Sequence, residues 1–351
     1  MQHDPIAPGA SLLSITERGL YCAAGDFYID PWLPVARAVI THAHGDHARW
    51  GSSTYLAAAE GYRVLRTRLG DQASITTLPF GESTLIGSVR VSLHPAGHIL
   101  GSAQIRVEHR GEVWVASGDY KTEPDPTCTA FEPVRCHTFV TESTFGLPIY
   151  RWRAQQQVFA EIREWWRDNA AARRPSVIFA YALGKAQRLL AGLRDDVPGP
   201  IYTHGAVERL NRDYRDAGVA IAHTAHASSL PRGHDFGTAL IVAPPSAGGS
   251  TWLRRFGTYS SAFASGWMRI RGIRRQRGLD RGFVLSDHVD WPSLHEAIEA
   301  TDASCVWVTH GYREPLVRWL VERGVDARAV SSRWEGELEG EVPIAGEAIA
   351  E

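Results

Sequence analysis

An apolar, β-branched run, RAVIT, ends directly in the segment THAHGDH, so that His42, His44, Asp46 and His47 fall within six positions. A run of this kind suits a buried strand, which puts the histidines at its carboxyl end. Residues two apart in an extended segment share a face. His42 and His44 can therefore grip one ion, while Asp46 and His47, past the bend, can grip a neighbour. The plainer reading is a solvated polar loop; four potential ligands in one turn argue against it.

One loop cannot complete a cage, and the later candidates all follow β-rich runs: His98 in HPAGHILGSA, Asp119 in VASGDYK and His310 in CVWVTHGYR. His98 and His310 each stand beside a glycine, where backbone can approach an ion closely. Taken singly, each has a structural reading, a satisfied polar residue for the histidines and a turn cap for Asp119. Together they would complete a two-ion site.

The chain around these segments has 351 residues, 44% of them hydrophobic, enough for two domains or one large one. Its 37 Lys plus Arg nearly balance 39 Asp plus Glu, so any polyanion must be held by local patches. The four cysteines form no CxxC pair, no basic amino-terminal segment leads into an apolar one, and no apolar run approaches the roughly 20 residues of a membrane span. A reduced, cytoplasmic protein without a membrane partner is expected. From Ser11 to about Phe145 the texture is short β-rich runs, with a hairpin at Arg110 and Gly111. Between about Arg151 and Arg281 an amphipathic stretch, RAQQQVFAEIREWWRDNAAA, precedes alternating strand and helix signals, which predicts a parallel sheet flanked by helices. The closing strand and helix signals, from FVLSD to DARAV, are expected to rejoin the first domain.

Asp30 in YIDPW, THAHGDH, AGHILGS and SGDYK resemble the four motifs of the metallo-β-lactamase superfamily. TESTFG with Glu142, SDHVDW with His288 and VTHGY with His310 resemble the three further motifs of its nucleic-acid branch, the β-CASP nucleases. Within that branch, the chain's size and its YALGKAQ and ASGWMRIRG stretches look most like the bacterial ligase-associated DNA exonucleases. The resemblance covers nearly the whole chain. It implies an α/β fold, a metallo-β-lactamase αββα sandwich made of residues 1–147 and 285–351, interrupted by an inserted β-CASP α/β domain at 148–284. It also implies two divalent ions, zinc with manganese as the alternative: one on His42, His44 and His98, the second on Asp46, His47 and His310, with Asp119 bridging. Asp30 would orient the motif loop from behind, and could also be a turn carboxylate before Pro31. Two such ions can activate a water for attack on a phosphodiester and neutralise the phosphoryl oxygens. Asp46, Glu142 and His288 are the catalytic residues that follow, His288 as donor or general acid to the leaving oxygen and Glu142 as its orienting carboxylate.

Two stretches could hold the polymer. Gly184 and Lys185, where a strand passes into a helix, could take a phosphate on backbone amides and ammonium, or could form a plain turn with a surface lysine. In SGWMRIRGIRRQRG, the contacts would be Ser265, Gly266, Trp267, Arg269, Arg271 and Arg274, with arginines on phosphates and Trp267 stacked on a base. A solvated charged face is the alternative. The implied function is a DNA exonuclease in repair, with an ATP-dependent DNA ligase and a helicase as candidate associates. An RNA-processing nuclease is the competing reading, because histidine at the position of His310 is typical of the family's RNA enzymes.

Overall fold

Strands β1 (Ser14–Thr16), β2 (Gly19–Cys22), β3 (Phe27–Ile29), β4 (Arg37–Val39), β5 (Thr54–Ala58) and β6 (Ile75–Leu78) form a first sheet in that order, in a computed structural model that describes residues 11–270, 272 and 278–333. The first three pair antiparallel, and β3 to β6 run parallel. Helix α1 (Tyr62–Leu69) connects β5 to β6.

A second sheet begins with β7 (Ser83–Ile86), β8 (Val89–Pro95), β9 (Ala103–His109), β10 (Glu112–Ala116) and β11 (Thr138–Ser143). The expected hairpin is present: His109 pairs with Glu112 across Arg110 and Gly111, whose φ angles of 51° and 84° give the turn that matches strand twist. Every residue of β11 is buried, as befits a strand with parallel neighbours on both sides.

The chain then builds a third sheet from β12 (Ser176–Phe179), β13 (Ile201–Thr203), β14 (Ala225–His226), β15 (Leu240–Ala243), β16 (Ser260–Ala264) and β17 (Arg281–Phe283), in the order β14-β13-β15-β12-β16-β17. All its pairs are parallel, as the alternating pattern predicts. Helix α2 (Gln155–Ala171) precedes β12 in sequence, α3 (Lys185–Gly192) follows β12 and α4 (Gly205–Asp216) follows β13. In α2, Val158, Phe159, Ile162, Trp165, Trp166 and Asn169 recur at helical spacing and are buried.

After β17 come α5 (Trp291–Ala300), β18 (Cys305–Gly311), α6 (Arg313–Val321) and β19 (Asp326–Ala329). Strand β18 pairs with β11 and β19 with β18, so the end of the chain completes the second sheet. Leu20, Ile29 and Val39 of the first sheet meet Val91, Leu93, Ile105 and Val107 of the second in one apolar layer. On the far side of the second sheet, Val115, Phe139, Val306 and Val308 pack with Leu294 and Ile298 of α5 and Leu316 and Leu320 of α6. Val64, Leu65 and Leu69 of α1 share a cluster with Ala38 and Ala57 of the first sheet and with Leu189, Leu210 and Tyr214 of α3 and α4. The result is a helix-sheet-sheet-helix sandwich with the third, parallel α/β unit packed on the α1 side. Among the described residues, no helix is long and apolar enough to cross a membrane.

Candidate metal centre

Strands β10, β11 and β18 run parallel, and β8, two antiparallel steps from β10, points the same way. Their carboxyl ends therefore lie on one edge, which receives His98, Asp119, Glu142 and His310. In the other sheet the parallel pair β3 and β4 delivers Asp30 and the Thr41–His47 turn.

Among the described residues four groups of donor atoms result, the atoms of each lying within 4.8 Å of one another. The first two are His42, His44, His98 and Asp119, and His47, Asp119 and His310; the other two bring His288 to Asp287 and His98 and to Asp119 and Glu142. His44 Nδ1 is 3.1 Å from both His42 Nε2 and His98 Nε2. Asp119 stands between the groups, Oδ1 3.0 Å from His310 Nε2 and Oδ2 3.5 Å from both His42 Nε2 and His47 Nε2. Asp46 is at the rim, 3.7 Å from His47 Nε2 with its side chain 19% exposed.

The outer hydrogen bonds decide whether these rings suit an ion. His98 Nδ1 donates to the Asp287 carbonyl (2.8 Å) and His44 Nε2 to the Leu183 carbonyl (3.1 Å), since a carbonyl can only accept. His47 Nδ1 donates to Asp30 (2.7 Å). The Thr41 hydroxyl gives its proton to Asp30 (2.5 Å) and so accepts from His42 Nδ1 (3.0 Å). Likewise Thr309 donates to the Thr141 carbonyl (3.1 Å) and accepts from His310 Nδ1 (2.9 Å). In each neutral ring the proton then points outward and the lone pair inward, the arrangement that metal-ligating histidines take. Ligands of a tetrahedral zinc ion lie roughly 3.3 Å from one another, and the donor pairs here lie 3.0 to 3.8 Å apart. The histidine and aspartate clusters fit a dinuclear metal site.

Charge follows burial. Burial, helped by neighbouring imidazoles, pushes His42 and His98 well below the ordinary histidine range, and burial also lowers His44, so all three are neutral. Burial works the same way on His47, but the carboxylates of Asp119, Asp46 and Asp30 outweigh it and raise the ring to about 10. Burial alone would raise Asp119; the surrounding histidines, His47 foremost, hold it well below the usual carboxylate range. An ion in the second group would displace the proton on His47.

Asp30 sits at φ 43°, a left-handed turn that aspartate tolerates, and its carboxylate also accepts the Thr41 amide (2.8 Å). It thus carries the turn and the ligand loop together. Glu142 lies where the register of β11 against β18 shifts between Thr141 and Ser143, an irregularity of the kind that re-aims a side chain. Its oxygens are 2.9 and 3.0 Å from His288 Nδ1, and one accepts the amide of Tyr120 (2.8 Å), next to Asp119. His288 is 1% exposed, its ring 4.6 Å from that of His98, with Trp152 donating to its carbonyl (2.9 Å).

Of the polymer contacts expected from the sequence, Gly184, Lys185, Ser265, Gly266 and Trp267 are buried. Lys185 is fully buried and paired with Asp287, not at the surface, and the Gly184 amide donates to Gln187 within the helix cap (2.8 Å). Glycine is needed at 184 because φ is 84° and an added Cβ would lie 2.2 Å from Ile99. Ser265 caps the following turn, Gly266 is buried, and Trp267 is 5% exposed, packed against Phe145 and Tyr150 with no face open for a base. Arg269 is exposed, with Nε on the Ile149 carbonyl (3.1 Å). Arg271 and Arg274 lie outside the described residues. Sequence reasoning missed Thr41, Leu183, Arg188 and Asp287. Only Asp287, adjacent to His288, carried a signal, and nothing in the sequence told whether it faced the site.

No family profile matches the chain. A probable DNA ligase of Opitutus terrae is 31% identical over 324 residues, covering 91% of this chain and 31% of the relative. Cleavage and polyadenylation specificity factor 73 of Drosophila melanogaster is 28% identical over 48% of this chain and 26% of its own length. Transcription termination factor FttA of Methanothermobacter thermautotrophicus is 32% identical over 44% of this chain and 28% of its own. The chain thus spans about a third or less of the length of these curated relatives. A protein of unknown function from Enterococcus faecalis shares the fold, with a TM-score of 0.57 and 11% identity over 85% of this chain and 79% of its own. With its αββα sandwich, its inserted parallel α/β unit and its clustered histidines, the chain belongs to the β-CASP branch of the metallo-β-lactamase superfamily.

Proposed function

We propose that the chain is a metal-dependent phosphodiester hydrolase, a DNA exonuclease acting in repair. The observation that carries the reading is the set of five inward-facing histidines sharing Asp119, with the Glu142–His288 pair beside it. Zinc is the proposed metal and manganese the alternative. His42, His44 and His98 would hold one ion, Asp46, His47 and His310 the other, with Asp119 between them. The ions would supply an activated water and neutralise charge on the phosphoryl oxygens. His288, its Nδ1 committed to Glu142, would pass a proton to the leaving oxygen through Nε2. The His288 ring, 5.9 Å from that of Phe145, is buried from bulk water, and Trp152 fixes the backbone beside it through the His288 carbonyl. The inserted domain is assigned to residues 148–284, between sandwich segments 1–147 and 285–351.

DNA as substrate draws support from the relative named a probable DNA ligase, which matches over nearly the whole chain, and an ATP-dependent ligase is the associate that name suggests. Cys22, Cys128, Cys136 and Cys305 are all free thiols, which supports a reducing, cytoplasmic setting. The RNA reading keeps one observation in its favour: several relatives matching a third of the chain or more are named endoribonucleases. Single- and double-stranded DNA and RNA labelled at either end, incubated with zinc or manganese, separate the two. Progressive shortening of DNA is expected. RNA cleavage with DNA intact would transfer the assignment to the RNA reading, and no hydrolysis by metal-loaded protein would end both.

A further inference from the structure

Helix α3 opens with a lysine that water does not reach: the side chains of Lys185 and Asp287 are 0% and 2% exposed, with Nζ on Oδ1. Such a pair loses so much hydration that apolar residues of similar volume often serve stability as well. Its surroundings suggest another use. The Asp287 carbonyl is the acceptor for His98 Nδ1 (2.8 Å), and the next residue is His288, held by Glu142. From the same helix, Arg188 reaches the His98 carbonyl (3.1 Å) and Asp125 (3.3 Å), and Leu183, just before it, receives His44 Nε2 (3.1 Å). One turn of the third α/β unit therefore touches two imidazoles of the first cluster, directly or through Asp287.

We infer that Lys185 and Asp287 are positioning residues, whose ion pair fixes the Ser286–His288 segment so that His98 and His288 keep their places together. The inference rests on the metal-centre reading above and deepens it. A hydrogen-bonded charge pair in a low-dielectric interior admits one geometry, whereas an apolar contact slides. Without the lysine, Asp287 Oδ1, already 3.9 Å from His288 Nε2, would be drawn to that ring, and its carbonyl would leave His98.

The test compares Lys185→Arg, Lys185→Met and the double variant Lys185→Met/Asp287→Asn with the wild-type chain. Zinc affinity is read by competition with a chromogenic chelator, and folding by the thermal midpoint. Lys185→Met is expected to lower zinc affinity about 10- to 100-fold. The double variant, with neither charge left buried, should recover the midpoint but not the affinity, while Lys185→Arg should keep both. A double variant that binds zinc as tightly as wild type would overturn the inference and leave the pair a packing feature. A wild-type chain that takes up no zinc would sink the metal-centre reading first, and this inference with it.

Discussion

Asp30 accepts hydrogen bonds from the Thr41 amide, the Thr41 hydroxyl and His47 Nδ1. Asn in its place has one acceptor oxygen, and its amide group would face a donor. Asp30→Asn is therefore expected to cost about 1–3 kcal/mol in urea unfolding and to weaken zinc binding about 10- to 100-fold. An unchanged metal affinity would show that Asp30 serves only the turn. Glu142→Gln isolates a different function, because the amide can still accept from His288 Nδ1 but loses the charge. Zinc content should stay at the wild-type value while phosphodiester turnover falls about 100-fold or more; loss of zinc instead would make Glu142 part of the cage. Asp30 and Glu142 were legible only through the resemblance of YIDPW and TESTFG to family motifs. Lys185 and Trp267 were misread for a common reason. A lysine at a helix start and a tryptophan beside arginines read as surface groups, and what buries them, Asp287 and Phe145, lies about 100 residues or more away in the chain.

The packing of α5 on α6 contains a titrating group, His295, against Trp291, the last residue of SDHVDW. His295 stacks on Trp319 with ring centroids 3.5 Å apart, Trp291 lies edge-on at 4.2 Å, and the Arg323 guanidinium lies over the Trp319 ring, 3.6 Å from its centroid. Burial, and then the Arg323 charge, lower His295 to about 4. Between about 4 and the unfolded value of 6.5 the unfolded chain binds the proton more readily, so stability rises with pH there. The contribution is fully present above pH 6.5 and lost as pH falls through about 4. His295→Phe should flatten the pH dependence of the unfolding midpoint across this window; an unaltered slope would place the acid sensitivity elsewhere. Elements differed in how plainly the sequence announced them. The β9–β10 hairpin has its turn pair and α2 its long apolar stripe. Helix α1 has neither: eight residues, no side-chain cap, and three buried apolar positions within a β-rich region. Packing on the first sheet, and the bond from Thr67 to Asp213 of α4 (2.7 Å), hold it, and both are tertiary.

The ligand set runs from His42, in the turn after β4, to His310 in the last third of the chain, and the third α/β unit reaches it through the Leu183 carbonyl on His44 and through Lys185, paired with the Asp287 that holds His98. An unfolded chain cannot present these donors together, so ions bind the native state alone and stabilise it by mass action, about 2.7 kcal/mol per site at a hundredfold excess over the dissociation constant. For a chain of this length that amounts to a shift of several degrees in the unfolding midpoint. Because sandwich and insert share the ligands' hydrogen-bond partners, chelation should move one common transition and not detach a separate one for the insert. Calorimetry with and without a strong chelator, followed by zinc add-back, measures both features. Asp119→Asn, which weakens both groups at once, should make the midpoint insensitive to the chelator. A midpoint that ignores the chelator in the wild-type chain would mean that the histidines are satisfied without an ion. A transition that splits on chelation would mean that the contacts of Leu183 with His44 and of Lys185 with Asp287 do not couple the two units.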